Sequence, residues 1–146
     1  MSRLIVLAVF SLVVLLGCSV KQSSGTRQLK IGEASLVVEV ADTLLSRAQG
    51  LSGRAELAPD HGMLFVFPAA SRYEFWMKDM NFALDFLWLH KGVVVEVVAN
   101  VLPPSQAEPT PARVRPSQPA DSVIEVPAGW AAEHKVVAGA KVEQLK

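Results

Sequence analysis

Four carboxylates sit within strongly apolar stretches of this chain: Glu39 among valines, Asp85 between Leu84 and Phe86, Glu96 in a valine run, and Glu125 between Ile124 and Val126. A carboxylate in such surroundings needs hydrogen bonds or a cation; unpaired, it takes up a proton or destabilises the fold. Asp85 is the sharpest case. Strand alternation places it on one face with Leu87 and Leu89, while Leu84, Phe86 and Trp88 take the other. Arg47 and Arg54 are its natural partners, because both follow the first valine-rich strand and a guanidinium offers a planar fork of donors that fits a carboxylate. Two arrangements satisfy that chemistry. One is a polar cleft where Arg47, Arg54 and Asp85 meet a ligand. The other is an internal Arg–Asp clasp pinning the helical segment to the sheet, favoured because buried charges are usually paired for structure. Glu39, Glu96 and Glu125 read as solvated members of alternating strands.

Phe75, Trp76, Met77, Met80 and Trp88 concentrate aromatic and thioether surface. That composition suits either an apolar groove or a filled core. Alternation assigns Phe75 and Met77 to core, whereas Glu74 and Lys78 flank Trp76 and leave its indole equally suited to the surface. The candidate ligand-binding residues are therefore Arg47, Arg54, Trp76, Lys78 and Asp85. Signatures of catalysis are missing: no Gly-x-Ser-x-Gly, no phosphate loop and no His-Glu-x-x-His. His61, His90 and His134 lack ligand-like spacing, and no metal or cofactor is expected. Acid–base hydrolysis by Asp85 with a second carboxylate such as Glu96 would need a separation of about 5–9 Å, which spacing along the chain does not set.

With 146 residues the chain holds one ordinary domain, and fourteen basic groups balance fourteen acidic ones. Zero net charge argues against nucleic acid as a partner. Hydrophobic residues make up 51% of the chain, and much of the excess lies at the N-terminus. Arg3 precedes the run Leu4 to Leu16, in which Ser11 is the sole polar residue. That run is shorter than the about 20 apolar residues of a bilayer span and fits the core of a signal peptide. Gly17 then precedes Cys18, which resembles the bacterial lipoprotein processing site. The resemblance implies cleavage before Cys18 and acylation of it, and several acyl chains hold a protein to a membrane firmly where one does so marginally. An uncleaved anchor or an ordinary secretory signal are the alternatives. Cys18 is the chain's one cysteine, so no internal disulfide exists. The expected location is the cell envelope, lipid-anchored, at the outer membrane facing the periplasm if the source is a diderm bacterium. The expected partners are the membrane, through acyl chains on Cys18, and an envelope protein, peptide or small ligand.

The elements that must position these residues read as strands. Leu36, Val38 and Val40 alternate with Val37, Glu39 and Ala41. Thr43 caps a short helix over Leu44 to Gln49, which Gly50 ends. Strands are expected over Gly62 to Phe67, Glu74 to Lys78, Ala83 to His90, Val93 to Ala99, Ser122 to Val126 and Ala140 to Gln144, with a second short helix over Ala128 to His134. Lys91-Gly92 marks a tight hairpin. No connection carries a ten-residue helical pattern, so parallel βαβ units are not expected. The stretch 102–121 holds six of the nine prolines and reads as a long surface loop without fixed structure.

Several motifs in order carry a resemblance: Val38-Glu39-Val40-Ala41-Asp42-Thr43, Arg47-x-x-Gly50-Leu51-x-x-Arg54-x-x-Leu57, Gly62-Met63-Leu64-Phe65-x-Phe67, Phe75-Trp76-Met77-Lys78-Asp79-Met80, Leu84-Asp85-Phe86-Leu87-Trp88, and Val123-Ile124-Glu125-Val126-x-Ala128-Gly129. Together they resemble the domain of unknown function 192. The resemblance implies a compact, mainly antiparallel β domain, often exported, with no assigned activity, cofactor or substrate. The family commonly has Met where Ser52 stands and Asp where Ala140 stands. The expected layout is a signal peptide over 1–17, a lipidated Cys18 with tether over 18–33, and a barrel-like or sandwich β domain over 34–146 with one or two short helices. The expected role is a tethered binding or accessory module, leaning away from an enzyme; a small hydrolase using Asp85 or a purely structural envelope accessory are the alternatives.

Overall fold

The computed structural model describes residues 25–145. The leader over 1–17, Cys18 and the tether up to residue 24 lie outside the described residues. The first strand, β1 (Thr26–Ile31), falls inside the segment read as tether, so the domain begins at Thr26 rather than Ala34. Leu29 and Ile31 are buried while Gln28 faces solvent, and β1 pairs antiparallel with Ala34 to Glu39 of β2 (Ala34–Ala41). Two apolar residues supply too short an alternation to stand out beside a polar leader; the pairing partner supplies the rest.

Helix α1 (Leu44–Gln49) starts with a capping box. The Ser46 amide donates to Thr43 Oγ1 at 3.0 Å, and the Thr43 amide donates to Ser46 Oγ at 3.0 Å. The chain then runs through Leu51, buried on the sheet, into β3 (His61–Ser71), which lies parallel to β2. This corrects the expectation that no parallel βαβ unit forms; the other strand pairs of the sheet are antiparallel. A parallel return needs a connection of a dozen or more residues, not a long helix, and Asp42 to Asp60 supplies it with only six in α1.

The remaining elements are β4 (Phe75–Trp76), β5 (Leu84–His90), β6 (Val93–Val101), β7 (Arg113–Val114), β8 (Ala120–Pro127), α2 (Trp130–Glu133) and β9 (Val142–Gln144). Seven strands form one sheet in the order β6-β5-β8-β3-β2-β1-β9, and β4 pairs with β7 in a separate ribbon. The sheet curls until its two edges approach. Val93 bridges Lys141, and the Val94 amide donates to Ala140 O at 2.9 Å. The expected mainly β, barrel-like class describes this architecture, with two short helices. At the β5–β6 hairpin Lys91 and Gly92 have φ of 49° and 74°, the two left-handed residues of a tight turn whose twist suits the strands.

Both faces of the sheet are covered. The enclosed face holds Leu36, Val38, Leu64, Leu87 and Ile124, closed at one end by Trp130 of α2. The other holds Phe65, Met77, Phe86, Trp88 and Val123 beneath the β2–β3 crossover and the β4–β7 ribbon. Part of the proline-rich stretch is pinned rather than structureless, because it pairs with β4 and its Ser117 amide and hydroxyl both donate to Glu96 at 2.6 Å. Arg72 Nε adds a bond to Pro116 O at 2.8 Å.

Gly62 allows β3 to sit close to β8. A Cβ there would lie 2.6 Å from the Glu125 carbonyl oxygen and 3.2 Å from Val126 Cγ1. The obstacle is backbone in the middle of the sheet and cannot swing aside. Gly62→Ala is therefore expected to lower unfolding free energy by about 3 kcal/mol, read as a lower denaturant midpoint with an unchanged slope.

Candidate functional site

The sheet itself separates the charged residues that the sequence suggested would meet. Asp85 is fully buried on the enclosed face. Its Oδ1 accepts the Asn100 amide at 2.8 Å and its Oδ2 accepts the Ala131 amide at 3.0 Å. Gly129, the N-cap of α2, has no side chain, so Asp85 caps that helix from across the fold. Asn100 adopts φ of 56°, and the same carboxylate holds that left-handed residue near the end of β6.

Arg47 and Arg54 ride on the crossover, on the opposite side of the sheet. Arg54 grips Glu39 through Nη1–Oε1 at 2.6 Å and Nη2–Oε2 at 2.8 Å. Those two bonds hold the Glu39 carboxyl below the usual carboxylate range. Arg47 donates from Nη1 to Asp42 O at 2.7 Å and Val66 O at 2.8 Å. A clasp between crossover and sheet therefore exists, but Glu39 and the Val66 carbonyl receive it, not Asp85. Glu39 is thereby not simply a solvated strand residue.

Two concavities open on this side. One, of about 370 Å³, is lined by Thr26, Val37, Glu39, Arg54, Leu57 and His61. Its guanidinium and carboxylate are already closed on each other. The second is a groove of about 300 Å³ with the side chains of Arg47, Phe67, Tyr73, Glu74, Phe75 and Trp76 along it. Phe67 and Tyr73 stack at 3.7 Å between ring centroids. The Arg47 guanidinium lies 5.3 Å from the Phe67 ring centroid. Trp76 is 52% exposed, which settles its position at the surface. Lys78 Nζ lies 5.4 Å from its ring and the Arg113 guanidinium 5.9 Å, with Arg113 also paired to Glu74. Phe75 is half-buried, edge-on to Phe65 and Trp88 at 4.9 and 5.4 Å.

Beneath the groove is a narrow pocket of about 40 Å³, sharing Arg47, Phe75 and Trp76 with it. Leu51, Phe65, Met80 and Leu84 form its apolar wall, and Glu125 lines its inner end. Glu125 pairs with Met63 on β3 and Phe86 on β5, so its side chain is on their face of the sheet. It is 5% exposed, and no hydrogen bond to its carboxyl is found among the described residues. Burial pushes its carboxyl up to about 8. Glu125 is therefore a core group, correcting its reading as a solvated strand residue. Val123, apolar and two positions earlier on the same face, is the signal that pointed there.

Of the five residues proposed from sequence, Arg47, Trp76 and Lys78 gather around one groove. Arg54 lies at the other concavity and Asp85 on the far face. Glu96 pairs with Trp88 and so shares the face opposite Asp85. His61 Nδ1 is 2.8 Å from Pro59 O, His90 Nδ1 is 3.2 Å from Asp121 Oδ2, and His134 Nε2 is 3.2 Å from Asp60 Oδ1. Among the described residues no His, Cys, Asp and Glu cluster of metal-ligating size is found.

The family of domain of unknown function 192, described as Uncharacterized ACR, matches residues 27–144. The chain belongs to this family. Domain 192 thus begins at β1, in agreement with the strand boundaries. Among solved structures the chain is similar to a protein from Sinorhizobium meliloti 1021 described as a candidate transcription regulator. The two share 30% identity over 84% of this chain and 95% of that one, with a TM-score of 0.75. It is also similar to a protein of unknown function from Novosphingobium aromaticivorans DSM 12444, at 26% identity over 81% and 84% of the two chains and a TM-score of 0.72. No curated protein matches the chain. Ser52 lines the narrow pocket and donates to Lys78 O at 3.1 Å.

Proposed function

We propose that the chain is a lipid-anchored, non-enzymatic binding module of the cell envelope, and that it takes its ligand in the aromatic groove beside Trp76. The single observation carrying this reading is a half-exposed indole flanked by two cations, above stacked Phe67 and Tyr73 and a buried acid. Exposed aromatic surface of this kind costs solubility unless something covers it, and concave aromatic walls with a few polar groups are the ordinary form of a ligand site. Arg47 and Lys78 suit a ligand whose outer end is anionic, while Arg113 is already paired with Glu74.

The hydrolase centred on Asp85 is set aside, because both Asp85 oxygens accept backbone N–H groups and the sheet stands between it and Glu96 or Glu125. DNA binding, the role that the Sinorhizobium description would bring, gains no support from a chain of zero net charge.

The anchor rests on Arg3, the apolar run to Leu16 and the Gly17-Cys18 junction, and Ser19 fits the outer-membrane pattern of diderm bacteria. Cys18→Ala is expected to move the protein from washed membranes to the soluble fraction and to abolish incorporation of labelled palmitate. Retention on washed membranes would remove the acyl anchor from this reading. Groove occupancy is tested by Trp76 emission and by the probe titrations described next.

A further inference from the structure

We infer that the narrow pocket beneath the groove is a site for a primary ammonium group, with the Glu125 carboxylate as its counter-ion. This deepens the groove reading and rests on it. Three independent features lead there. First, Glu125 is a buried carboxyl with no hydrogen-bond partner among the described residues, and it lines the inner end of a cavity rather than packing blindly into core. A buried polar group left unpaired is costly, and an arriving donor that satisfies it recovers that cost.

Second, the cavity is small. Its about 40 Å³ compares with the about 10–15 Å³ that one water needs. A compact ammonium head fits that space. The groove above, of about 300 Å³, leaves room for the apolar body that carries the head.

Third, Phe65, Phe75 and Trp76 border the pocket, and aromatic faces attract a desolvated cation. Of the charged residues at the pocket only Arg47 shares its lining with Glu125. Two carbonyl oxygens hold Arg47 Nη1, and its guanidinium is over Phe67. Its repulsion of an entering cation acts at the solvent-screened mouth, whereas Glu125 is 5% exposed, and charge interactions are stronger where solvent is largely excluded. The floor therefore outweighs the rim. An anionic group on the ligand's outer end would turn Arg47 from opponent into partner.

The ammonium keeps its three N–H protons, the Glu125 carboxylic acid gives its proton to solvent, and the resulting carboxylate accepts from the ammonium. Near neutral pH each bound amine then releases close to one proton.

The test uses the full-length protein in detergent, titrated calorimetrically with phenethylamine and with its neutral isostere 2-phenylethanol. Near neutral pH the amine is expected to bind about tenfold tighter than the alcohol, since charge-assisted hydrogen bonds are about twice as strong as neutral ones. The apparent heat is expected to vary with buffer ionisation enthalpy by close to one proton. Glu125→Gln should erase the preference for the amine while retaining binding of the alcohol, which also reports that the variant is folded. Trp76→Ala should weaken both probes. Equal affinity of amine and alcohol, or a preference surviving Glu125→Gln, would overturn the ammonium site and leave the groove standing. Failure of both probes to bind, with Trp76 emission unmoved, would remove the groove and the ammonium site together. Nα-acetyl-lysine amide, added as a third probe, separates a protein lysine from a free amine as the source: binding equal to phenethylamine points to a lysine side chain, and binding by phenethylamine alone points to a small amine.

Discussion

Between about pH 4.5 and pH 8 the wild-type domain is expected to lose about 5 kcal/mol of unfolding free energy that Glu125→Gln does not lose. The sign follows from which state holds the proton. In the native protein Glu125 is buried without a partner and stays protonated until about pH 8. In the unfolded chain its carboxyl ionises near 4.5. Through the interval the native state binds the additional proton, so raising the pH favours unfolding by about 1.4 kcal/mol per unit. The contribution is complete below the unfolded value, declines through the interval, and is gone above the native value. Denaturant unfolding at a series of pH values checks this: the difference between wild type and Glu125→Gln should slope across the interval and level off beyond it. A flat difference would mean that Glu125 is ionised in the folded state and has found a cation. Glu39 acts in the opposite sense. Its carboxyl is held low by the Arg54 bonds, so its contribution is present above about pH 4.5 and fades as the pH falls through its native value. The Glu125 slope should therefore be read on the neutral and alkaline side, clear of the Glu39 limb.

Asp85→Ala is expected to destabilise the domain by about 4 kcal/mol, with the loss spread over two places far apart in the chain. Truncation strands the buried Ala131 amide, at about 1–3 kcal/mol, and removes the part-buried bond that holds Asn100. It also opens a small void at the end of the enclosed core. Because Asp85 caps α2 and holds the left-handed Asn100, hydrogen exchange should accelerate at Trp130 to Glu133 and around Asn100 more than at the β1–β2 ribbon. Asp85→Asn keeps one acceptor oxygen and should fall between wild type and alanine. If Asp85 served a ligand site instead, its alanine variant would keep its stability and lose binding. The architecture predicts the reverse: lost stability, with binding at the groove unaffected at temperatures where the variant stays folded.

How much of this was legible in the residues themselves can be traced position by position. The strand class was, because Leu36, Val38 and Val40 or Leu84, Phe86 and Trp88 alternate with a period that only a pleated chain turns into faces. The α1 cap was, because Thr43 and Gly50 act through their immediate neighbours. β1 and β7 were not, since Leu29 with Ile31, and Val114 alone, are too little apolar surface to mark a strand until a partner covers it. The parallel β2–β3 pairing was hidden for a related reason: the crossover needs length, and helix content says little about length.

The site divides along the same line. Trp76 and Lys78 were readable as surface neighbours because strand spacing sets their relation locally. That Asp85 needs polar partners also followed from its apolar setting alone. Which partners it finds did not, because hydrogen bonds from Asn100 and Ala131 join positions well separated in sequence, and backbone amides leave no trace in composition. Arg54 was recognised as a clasp, but its carboxylate was misassigned, because strand alternation says that Glu39 and Asp85 each have a face without saying which face meets the crossover. Glu125 marks the limit most clearly. Its neighbours Ile124 and Val126 point away from it, and only the covering of the second sheet face by Phe65, Phe75 and the crossover makes it a buried acid beside a cavity. Local periodicity, caps and charge balance were determined by the chain alone. The placement of each charge inside or outside the closed sheet was decided by packing, since burial is a property of what lies on top of a residue and not of the residue itself.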